Sequence, residues 1–524
     1  MDRPCDLLII GGGINGAAIA RDAAGRGLSV CLVEQGDIAG ATSSASSKMI
    51  HGGLRYLEHY EFRLVAEALA EREVMLKIAP HLARPLAIVM PHVKRQRPAW
   101  MIRLGLLLYD NLGRLRHDAP RTTLPASSTV DLRRAPFAGL LHAVHGKGFV
   151  YSDVIDDDAR LTLATARSAA GLGAVIRTRT RCLAAHRDGT CWRIQLEHHG
   201  QRSEAAARAV VNAAGPWVSA VLAACLPQRQ PPQHGSHRPA VQLIKGSHIV
   251  VPRLYAGDHG WLLQNDDHRV VFVLPFEEDY SLIGTTEIKL ERSDADTVAA
   301  LDAPPTASAG EIDYLCRAVG RFFRQAPQPA DVVWSYAGLR PLFDDGHGDP
   351  AAVTRDYTFL LDAPPDAAPL LSIFGGKLTT HRRLAEAALT RLAPWFPDMG
   401  RAWTASQALP GGEFADFTQL LAELRRSYPA LPAGLLQQLA RRHGSLTAAV
   451  LGTTCGPDEL GRDFGGGLFE REVAWFVTHE WAQDADDVLW RRSKAGLRMR
   501  PAERAAFAAW FAERYPAPGL EAKE

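Results

Sequence analysis

A glycine-rich turn close to the start of the chain constrains the fold more than any other stretch. Residues 7–10 are consecutively apolar, which is typical of a buried strand, and three glycines follow at the spacing that opens a helix. Gly11 permits a tight turn, Gly13 lets backbone N–H groups approach a pyrophosphate, and Gly16 lets the helix lie close to the strand. The N-terminus of the helix predicted for residues 17–24 adds partial positive charge, which favours phosphate.

An acidic residue follows this turn at the distance that a dinucleotide-binding unit requires. Residues 30–33 predict a second strand, and Glu34 ends it about twenty residues beyond the glycines, where a carboxylate can hydrogen-bond ribose hydroxyls. The order of strand, glycines, helix, strand and acid therefore predicts a βαβ unit that binds NAD or FAD, and it does not choose between them. The residues predicted to contact the cofactor here are Gly11, Gly13, Ile14, Asn15, Gly16 and Glu34.

Length and composition indicate that this unit is part of a larger globular protein. A chain of 524 residues exceeds the size of one hydrophobic core, so we expect two or three domains. The net charge of +1 predicts no nucleic-acid partner, and the seven cysteines lack a Cys-x-x-Cys pair, which predicts a reducing compartment and no metal site. With neither a signal peptide nor an apolar run of spanning length, we expect a cytoplasmic protein and leave peripheral membrane attachment open.

A serine-rich segment leads from the βαβ unit into a glycine pair. Such a run is often a solvated linker, but this one ends near His51 and Arg55 and continues directly into an amphipathic helical pattern. Small residues can pass close beneath a cofactor, and their hydroxyl groups can donate hydrogen bonds to phosphate. We therefore predict cofactor contacts from Thr42, Ser43, Ser44, Ser47 and Gly53.

Two later strand ends carry further cofactor candidates. A strand predicted at 207–211 leads to Ala214 and Gly215, and its distance along the chain from the first strand implies a discontinuous nucleotide domain. A strand at 370–374 leads through a glycine pair into a helix, whose N-terminus could stabilise negative charge on a flavin. The residues predicted to contact the cofactor at this second turn are Gly375, Gly376, Lys377, Leu378 and Thr379.

The rest of the chain divides into a β-rich part and a helical part. Short apolar runs between 241 and 287 predict an antiparallel sheet that covers the substrate, and residues beyond 412 have a helical pattern. The acidic cluster at 153–158 lacks the glycine and glutamate of a calcium loop, so it predicts a helix start. The predicted domains are a nucleotide-binding domain at 1–80, 149–217 and 331–400, a substrate domain at 81–148 and 218–330, and a helical domain at 405–524.

The most apolar helical candidate spans residues 97–109, and Pro98 suits its first turn. A buried core helix would explain this composition. An interfacial helix on an anionic lipid surface would explain it too, with Trp100 and Tyr109 at headgroup depth. Both interpretations stay open, although the run is too short to span a bilayer. The arginines in and around it are Arg95, Arg97, Arg103, Arg114 and Arg116.

Four cationic side chains lie at sites that a fold of this kind would bring together. Single arginines are usually surface charges. Arginines set among glycine, proline and apolar residues at strand ends are more often anion anchors, because the guanidinium group matches phosphate oxygens bidentately. We therefore predict a small, phosphorylated substrate that is bound by Arg55, Arg340, Arg355 and Lys377.

Seven motifs are spread over nearly the whole chain. They are GGGING at 11–16, SSASSK at 43–48, HGGLRYLEHY at 51–60, IKGSHIVVP at 244–252, GLRPL at 338–342, FGGKLTT at 374–380 and ADDVLWRR at 485–492. Together they resemble the motifs of one family, the respiratory, FAD-dependent glycerol-3-phosphate dehydrogenases of bacteria. This resemblance favours FAD over NAD.

The resemblance implies a fold and a reaction. The implied fold is α/β, with a Rossmann-like FAD-binding domain of the glutathione reductase/D-amino-acid oxidase type, an antiparallel β-sheet substrate domain and a C-terminal helical domain. The implied reaction moves the C2 hydride of sn-glycerol 3-phosphate to N5 of a noncovalently held FAD and gives dihydroxyacetone phosphate. Electrons would pass to membrane quinone, from a protein bound peripherally to the inner face of the cell membrane. The resemblance leaves open whether the protein forms a homodimer.

The same resemblance suggests roles for individual residues. Arg340 and Lys377, together with Arg55 and Arg355, are candidates for holding phosphate and polarising the hydroxyl group, and Tyr56 could add a hydroxyl contact. The hydroxyl proton needs an acceptor as hydride departs. His51 has the most suitable intrinsic pKa for this role, although it could instead hydrogen-bond to a residue that touches the substrate.

Two other functions remain compatible with these motifs. One is an oxidase of the same fold, which would pass electrons to oxygen and need no membrane surface. The other is a flavin-binding sensor without catalytic activity, although the joint presence of Arg55, Arg340 and Lys377 argues against it.

Overall fold

The computed structural model describes residues 4–93, 97–113, 122–142, 146–226, 240–290, 304–344 and 356–516. Its strands belong to two sheets. They are, in chain order, β1 (Cys5–Ile10), β2 (Val30–Val33), β3 (Met49–Ile50), β4 (Ala83–Pro91), β5 (Ser128–Asp131), β6 (Lys147–Asp156), β7 (Val175–Arg177), β8 (Thr180–Asp188), β9 (Cys191–His198), β10 (Gln201–Asn212), β11 (Ala240–Pro252), β12 (Gly260–Gln264), β13 (Val270–Phe276), β14 (Tyr280–Gly284), β15 (Ile288–Lys289), β16 (Trp334–Asp344), β17 (Thr358–Asp362) and β18 (Leu370–Phe374).

The helices pack on both sheets and form a separate group at the C-terminal end. In chain order they are α1 (Ile14–Gly25), α2 (Phe62–Ile78), α3 (Ala99–Leu112), α4 (Asp158–Gly171), α5 (Val218–Cys225), α6 (Ala309–Gly320), α7 (His381–Leu392), α8 (Phe417–Ser427), α9 (Ala433–His443), α10 (Thr447–Leu451), α11 (Glu470–Glu480) and α12 (Pro501–Arg514). A single π-helical turn, Asp487–Arg492, lies between α11 and α12.

The first sheet has β1 near its centre, in the order β17-β18-β10-β1-β2-β7. β1 pairs in parallel with β2 and with β10, and β10 pairs in parallel with β18. Apolar side chains of β1 are buried on both faces, against α1, α4 and α7 on one side and against β9 and α5 on the other. Because these parallel strands point the same way, their carboxyl ends lie along one edge, which is where ligands bind in such sheets.

The second sheet is mostly antiparallel, in the order β15-β11-β14-β13-β12-β4-β6-β3, with β16 beside β11 and β5 beside β6. One face packs against α6 through Leu315 and Val319, and the other packs against α2 and α3 through Leu69 and Leu106. The predicted fold class, a Rossmann-like α/β domain with an antiparallel sheet and a helical C-terminal domain, is confirmed.

Three strands from ranges that the sequence grouped with the nucleotide domain lie in the second sheet: β3, β6 and β16. β3 pairs with β6, β6 pairs with β4, and β16 pairs with β11 from Ala240–Asp344 to Val250–Trp334. Apolar strands of either sheet have the same local pattern, so only the long-range register decides the sheet to which a strand belongs. The domain boundaries themselves stay a prediction.

Helix α3 buries one side and exposes large apolar side chains on another, and its contact with lipid stays a prediction. Leu106, Tyr109 and Leu112 are buried, whereas Trp100 and Leu104 are exposed. The placement of Tyr109 at headgroup depth is therefore wrong, because its hydroxyl group is buried and donates to Asp153 Oδ1 at 2.8 Å. Arg95, Arg114 and Arg116 lie outside the described residues. In the part of the chain that the structure describes, no helix has both the length and the apolarity to cross a bilayer.

The acidic cluster at 153–158 marks the start of α4, as its composition predicted. Asp157 caps the helix by accepting a hydrogen bond from the backbone N–H of Arg160 at 3.1 Å, and Asp158 lies in the first turn. The carboxylate of Asp158 also accepts a hydrogen bond from Lys48 Nζ at 2.7 Å. This buried ion pair fixes the serine-rich segment against α4.

Buried ion pairs join the C-terminal domain to α4, which packs on the first sheet. Arg160 of α4 bonds to Glu480 of α11, and Lys494 bonds to Asp157. Removing one partner of a buried pair leaves an uncompensated charge, so these pairs fix the orientation of the helical domain.

Candidate active site

A cavity of about 680 Å³ lies along the edge where the carboxyl ends of the first sheet meet the second sheet. This volume is within the usual range for ligand and cofactor sites. Its wall combines the glycine turn after β1, the serine-rich segment, the turn after β18 and residues of β11 and β16. Segments that are hundreds of residues apart therefore share one site.

The first glycine turn has the geometry that its spacing predicted. Gly11 has φ +114°, and a Cβ on Gly16 would lie 1.9 Å from the carbonyl oxygen of Gly11, so no larger residue fits there. Gly13 precedes the first turn of α1 and faces the cavity. The backbone N–H of Ile14 donates to Ser43 Oγ at 2.9 Å, which ties this turn to the serine-rich segment.

Asn15 links the two glycine turns across 360 positions of sequence. Its Nδ2 donates to the carbonyl oxygen of Gly375 at 3.3 Å, while its Oδ1 is buried without a hydrogen-bond partner among the described residues. Gly375 and Gly376 both have positive φ, at +74° and +99°. A short 3₁₀ turn, Leu378–Thr380, then leads into α7. The unsatisfied amide oxygen at a cavity wall indicates a ligand that can donate a hydrogen bond.

The serine-rich segment is held by side-chain contacts on both sides. Thr42 Oγ1 donates to the carbonyl oxygen of Leu339 at 2.7 Å, and Ser47 Oγ lies 2.9 Å from His248 Nε2. His248 in turn stacks on Tyr336, with ring centroids 4.9 Å apart. The segment is therefore a fixed wall of the cavity and not a solvated linker.

Glu34 lies at the end of β2, as predicted, and organises the loop that follows. Its two carboxylate oxygens accept hydrogen bonds from the backbone N–H groups of Gly12 at 2.6 Å and Gly36 at 2.7 Å. Burial raises the pKa of Glu34, and these two hydrogen bonds oppose that effect. A carboxylate has lone pairs beyond the two used here, so ribose hydroxyls can still be accommodated.

The basic side chains converge at the other end of the cavity. His51, Arg55, Arg340 and Lys377 all line it, and Lys377 Nζ lies 3.7 Å from the centre of the Tyr56 ring. Burial, followed by the positive charges of Lys377 and Arg340, lowers the pKa of His51 to about 4. The imidazole is therefore neutral at neutral pH and able to accept a proton.

Most residues proposed from the sequence lie on the cavity wall. Gly16 and Ser44 do not line it: Gly16 serves the contact between helix and turn, and the Ser44 hydroxyl donates to the carbonyl oxygen of Ala41 at 3.2 Å. Arg355 lies outside the described residues. The proposed residues on the wall are Gly11, Gly13, Ile14, Asn15, Glu34, Thr42, Ser43, Ser47, His51, Gly53, Arg55, Tyr56, Ala214, Gly215, Arg340, Gly375, Gly376, Lys377, Leu378 and Thr379.

The structure also brings in residues that the sequence did not single out. His248, Arg269 and Glu287 line the cavity from the second sheet, and Arg179 and Arg491 line it near Glu34. Two of these positions were visible in the sequence, because His248 belongs to IKGSHIVVP and Arg491 to ADDVLWRR. Nothing local in either motif indicates contact with a cavity.

Family models and relatives agree with this architecture. Residues 6–382 match the model described as FAD dependent oxidoreductase, and residues 402–511 match the C-terminal domain of alpha-glycerophosphate oxidase. The chain is 48% identical to a glycerol-3-phosphate dehydrogenase of Pseudomonas aeruginosa, with 98% of this chain and 96% of that protein covered. It is also 48% identical to a D-erythritol 1-phosphate dehydrogenase of Brucella abortus, and 46% identical to an aerobic glycerol-3-phosphate dehydrogenase of Escherichia coli, each with 97% of both chains covered.

Solved structures give the same picture. A glycerol-3-phosphate dehydrogenase from Bacillus halodurans, complexed with FAD, superposes with a TM-score of 0.73 at 26% identity and covers 98% of this chain and 91% of its own. An L-alpha-glycerophosphate oxidase from Mycoplasma pneumoniae, with a TM-score of 0.58 at 17% identity, covers 78% of this chain and 99% of its own and shows the shared fold. The chain therefore belongs to the FAD-dependent oxidoreductases and, within that class, to the family that includes the bacterial glycerol-3-phosphate dehydrogenases.

The cavity fits FAD, the cofactor of this family. Gly11, with positive φ, makes the tight turn, and Gly13 faces the cavity without a side chain, which permits the close backbone approach that a pyrophosphate needs. The partnerless Oδ1 of Asn15 offers an acceptor in the same wall. Glu34 lies at the distance along the chain where the ribose is expected.

Substitution of Gly13 by alanine tests whether its open surface serves the cofactor. Gly13 has φ −73°, so alanine does not strain the backbone, and its Cβ would meet only Ser43 Oγ, at 3.1 Å. We expect Gly13→Ala to raise the dissociation constant of FAD at least about tenfold, a loss of about 1.4 kcal/mol, because the methyl group occupies the approach to the pyrophosphate. The measurement is FAD release from diluted protein, followed by fluorescence.

Gly171→Ala is the matched control, because a Cβ on Gly171, at the end of α4, would meet no atom within 4 Å. Its FAD affinity should equal that of the parent protein. Equal affinity in the Gly13→Ala protein would show that this surface does not contact FAD.

Proposed function

We propose that this protein oxidises sn-glycerol 3-phosphate to dihydroxyacetone phosphate with FAD as its cofactor. The main support is the convergence of His51, Arg340 and Lys377 from three distant segments on one cavity whose glycine turns fit FAD. The names of relatives that are 46–48% identical over nearly the whole chain support the same substrate.

The basic side chains suit a phosphate ester better than a neutral polyol. Arg340 and Lys377 both line the cavity, and the positive charge of each lowers the pKa of His51, so both charges act on the same part of the cavity. Arg55 also lines the cavity and is exposed. We assign phosphate binding and polarisation of the C2 hydroxyl to these three residues and Arg355, with a hydroxyl contact from Tyr56. An Arg–phosphate pair is both strong and directional.

His51 is our candidate for the acceptor of the C2 hydroxyl proton. FAD, when bound, accepts the hydride of C2 at N5. His51 enters the reaction neutral, because burial and two neighbouring cations keep its pKa low. A phosphate dianion between Lys377 and Arg340 would offset their charges and raise the basicity of His51 when substrate is present. The base would therefore become stronger when it is needed.

FAD is held noncovalently in this proposal. The pyrophosphate would lie against the turn of Gly11 and Gly13, with Ile14, Asn15, Thr42, Ser43 and Ser47 beside it, and Glu34 would take the ribose. Gly53, Ala214, Gly215 and the turn of Gly375, Gly376, Leu378 and Thr379 would line the rest of the cofactor. Gly16 and Ser44 would support this arrangement through the backbone, since neither lines the cavity.

An anaerobic titration tests the reaction and the substrate together. Glycerol 3-phosphate should bleach the flavin absorption in proportion to the amount added, whereas glycerol should leave it unchanged because it lacks the anchoring phosphate. The Brucella abortus relative makes D-erythritol 1-phosphate the second substrate to titrate. Faster reduction by that compound would reassign the substrate within the polyol phosphates, and an unbleached flavin with both esters would indicate a sensor.

His51→Asn tests the proton acceptor. Asparagine keeps a polar side chain of similar size but cannot accept the proton, so we expect the anaerobic rate of flavin reduction to fall by about 10²–10⁴-fold. The FAD content should stay unchanged. His199→Asn is a suitable control, because His199 is exposed and does not line the cavity. Reduction at the parent rate in the His51→Asn protein would place the base elsewhere.

We further propose that the protein docks peripherally on the inner face of the cell membrane and passes electrons to a quinone there. An exposed apolar surface made of Trp100, Leu104 and Leu107 of α3, together with Tyr60 and Phe62, supports this. Single exposed apolar residues are common on protein surfaces, but several together on one helix and the neighbouring segment are typical of an interfacial helix. It adjoins residues 53–56, which line the cavity, so an apolar acceptor would arrive near the flavin.

Two aspartates on this surface should abolish docking. Leu104→Asp combined with Leu107→Asp places two charges on the lipid-facing side, so we expect the protein to lose flotation with anionic liposomes and to lose quinone reduction in them. Anaerobic bleaching by substrate should persist. The control pair is Leu172→Asp with Val175→Asp, because these two residues are similarly exposed, at 45% and 44%, and lie on other elements.

The same experiment decides the oxidase alternative, which the match of residues 402–511 to the C-terminal domain of alpha-glycerophosphate oxidase favours. An oxidase would turn over with oxygen as fast as with quinone analogues, and the paired aspartates at 104 and 107 would not affect it. We expect oxygen to be the slower acceptor.

A further inference from the structure

The π-helical turn of the C-terminal domain, Asp487–Arg492, borders the cofactor cavity. Arg491 is part of the cavity wall, together with Glu34, Asp37 and Arg179. This is the end of the cavity at which β2 terminates, and an acid at that position marks the ribose side of a bound dinucleotide. A domain that follows the sheets in sequence thus supplies a side chain at the adenosine end.

Buried hydrogen bonds fix this turn against the loop after β2. Arg491 Nε donates to Asp37 Oδ2 at 2.5 Å, and Arg492 Nη2 donates to Asp37 Oδ1 at 2.7 Å. Arg492 is fully buried and also donates to the carbonyl oxygen of Glu480 at 2.6 Å. The carboxylate of Asp37 therefore holds two arginines of the C-terminal domain at once.

A second set of hydrogen bonds joins the π-helical turn to Arg179, which lies between β7 and β8 of the first sheet. Arg179 Nη2 donates to Asp487 Oδ2 at 2.8 Å and to Asp484 Oδ2 at 2.6 Å. The backbone N–H of Arg179 donates to the carbonyl oxygen of Gly36 at 2.9 Å, and the N–H of the same Gly36 donates to Glu34 Oε1 at 2.7 Å. Trp490 stacks on Trp334 of β16, with ring centroids 5.1 Å apart. The turn is thus docked on both sheets.

The orientation of Arg491 leaves part of its guanidinium group available to a ligand. Nε is directed to Asp37 and Nη2 to Asp487, whereas Nη1 makes no hydrogen bond within the described part of the chain. The side chain is 17% exposed and forms part of the cavity wall. Arginine can both donate hydrogen bonds to ribose or phosphate oxygens and stack on an aromatic ring.

We propose that the C-terminal helical domain is part of the FAD site, with Arg491 in contact with the adenosine half of the cofactor and Arg492 positioning it through Asp37. Retention of FAD then depends on the docking of a domain that carries none of the basic residues near His51. This inference rests on FAD as the cofactor and not on the identity of the substrate.

The test compares FAD with ADP, which carries the adenosine and the pyrophosphate but no flavin. In purified holoenzyme, FAD release on dilution gives the dissociation constant of FAD, and competition by ADP gives that of ADP. We expect Arg491→Ala to raise both constants about tenfold or more, since hydrogen bonds from charged groups are lost. The absorption spectrum of the FAD-saturated variant should equal that of the parent, because the flavin end is untouched.

Arg498→Ala is the matched control. Arg498 also joins the C-terminal domain to the rest of the protein, but its partners are Glu277 and Asp279 of the second sheet, and it does not line the cavity. Both dissociation constants should stay close to those of the parent. If Arg491→Ala is not obtained in folded form, Arg491→Lys keeps a cation beside Asp37 and should give the same pattern with a smaller loss.

Three results would overturn the proposal. Unchanged constants in a folded Arg491 variant would show that the side chain does not contact the cofactor. Weaker FAD binding with unchanged ADP binding would show that Arg491 does not act on the adenosine half of the cofactor. An equal loss in Arg498→Ala would show that general loosening of the domain, and not Arg491, accounts for it. Since only FAD and ADP are measured, none of these outcomes bears on the proposed substrate.

Discussion

The parallel pairing of β1 with β2 and β10 determines where everything else in this protein can act. Parallel strands require long crossover connections, so their carboxyl ends collect loops from distant parts of the sequence at one edge. The glycine turn, the serine-rich segment and the turn after β18 meet there, and the bond from Asn15 to Gly375 joins two of them. The antiparallel sheet closes the cavity from the other side and adds His248 and Arg340. The two parts of the resulting cavity differ in character. Near Glu34, Arg179 and Arg491 are paired with the carboxylates of Asp487 and Asp37, whereas Arg340 and Lys377 place positive charge near His51.

Local chemistry explains what the sequence could predict. Turn geometry and close packing require glycine at positions 11, 13 and 16. The spacing of these glycines can therefore be recognised in the sequence without a structure. The same holds for the Gly375–Gly376 turn and for the cap of α4 at Asp157, because each depends on residues a few positions apart. Long motifs such as FGGKLTT and HGGLRYLEHY then indicated the family. The proposed roles of the residues in them remain proposals that activity measurements will decide.

The features that sequence patterns missed all depend on contacts between distant segments. β16 has the composition of a strand in either sheet, and only its register with β11 places it in the second. From the sequence alone, Tyr109 is compatible with a lipid interface and Arg491 with an ordinary helical surface. The structure shows that Tyr109 hydrogen-bonds to Asp153 and Arg491 to Asp37, each a residue from a distant segment. In each case a polar group is buried only because a partner from another segment satisfies it.

The buried hydroxyl group of Tyr109 has a consequence for communication within the molecule. It accepts a hydrogen bond from the backbone N–H of Gly52 at 2.8 Å while donating to Asp153, and Gly52 is the neighbour of His51 in the chain. The amphipathic helix α3 and the backbone that carries the imidazole are thereby coupled mechanically through one phenol. A tilt of that helix would therefore either break this hydrogen bond or displace the peptide next to His51.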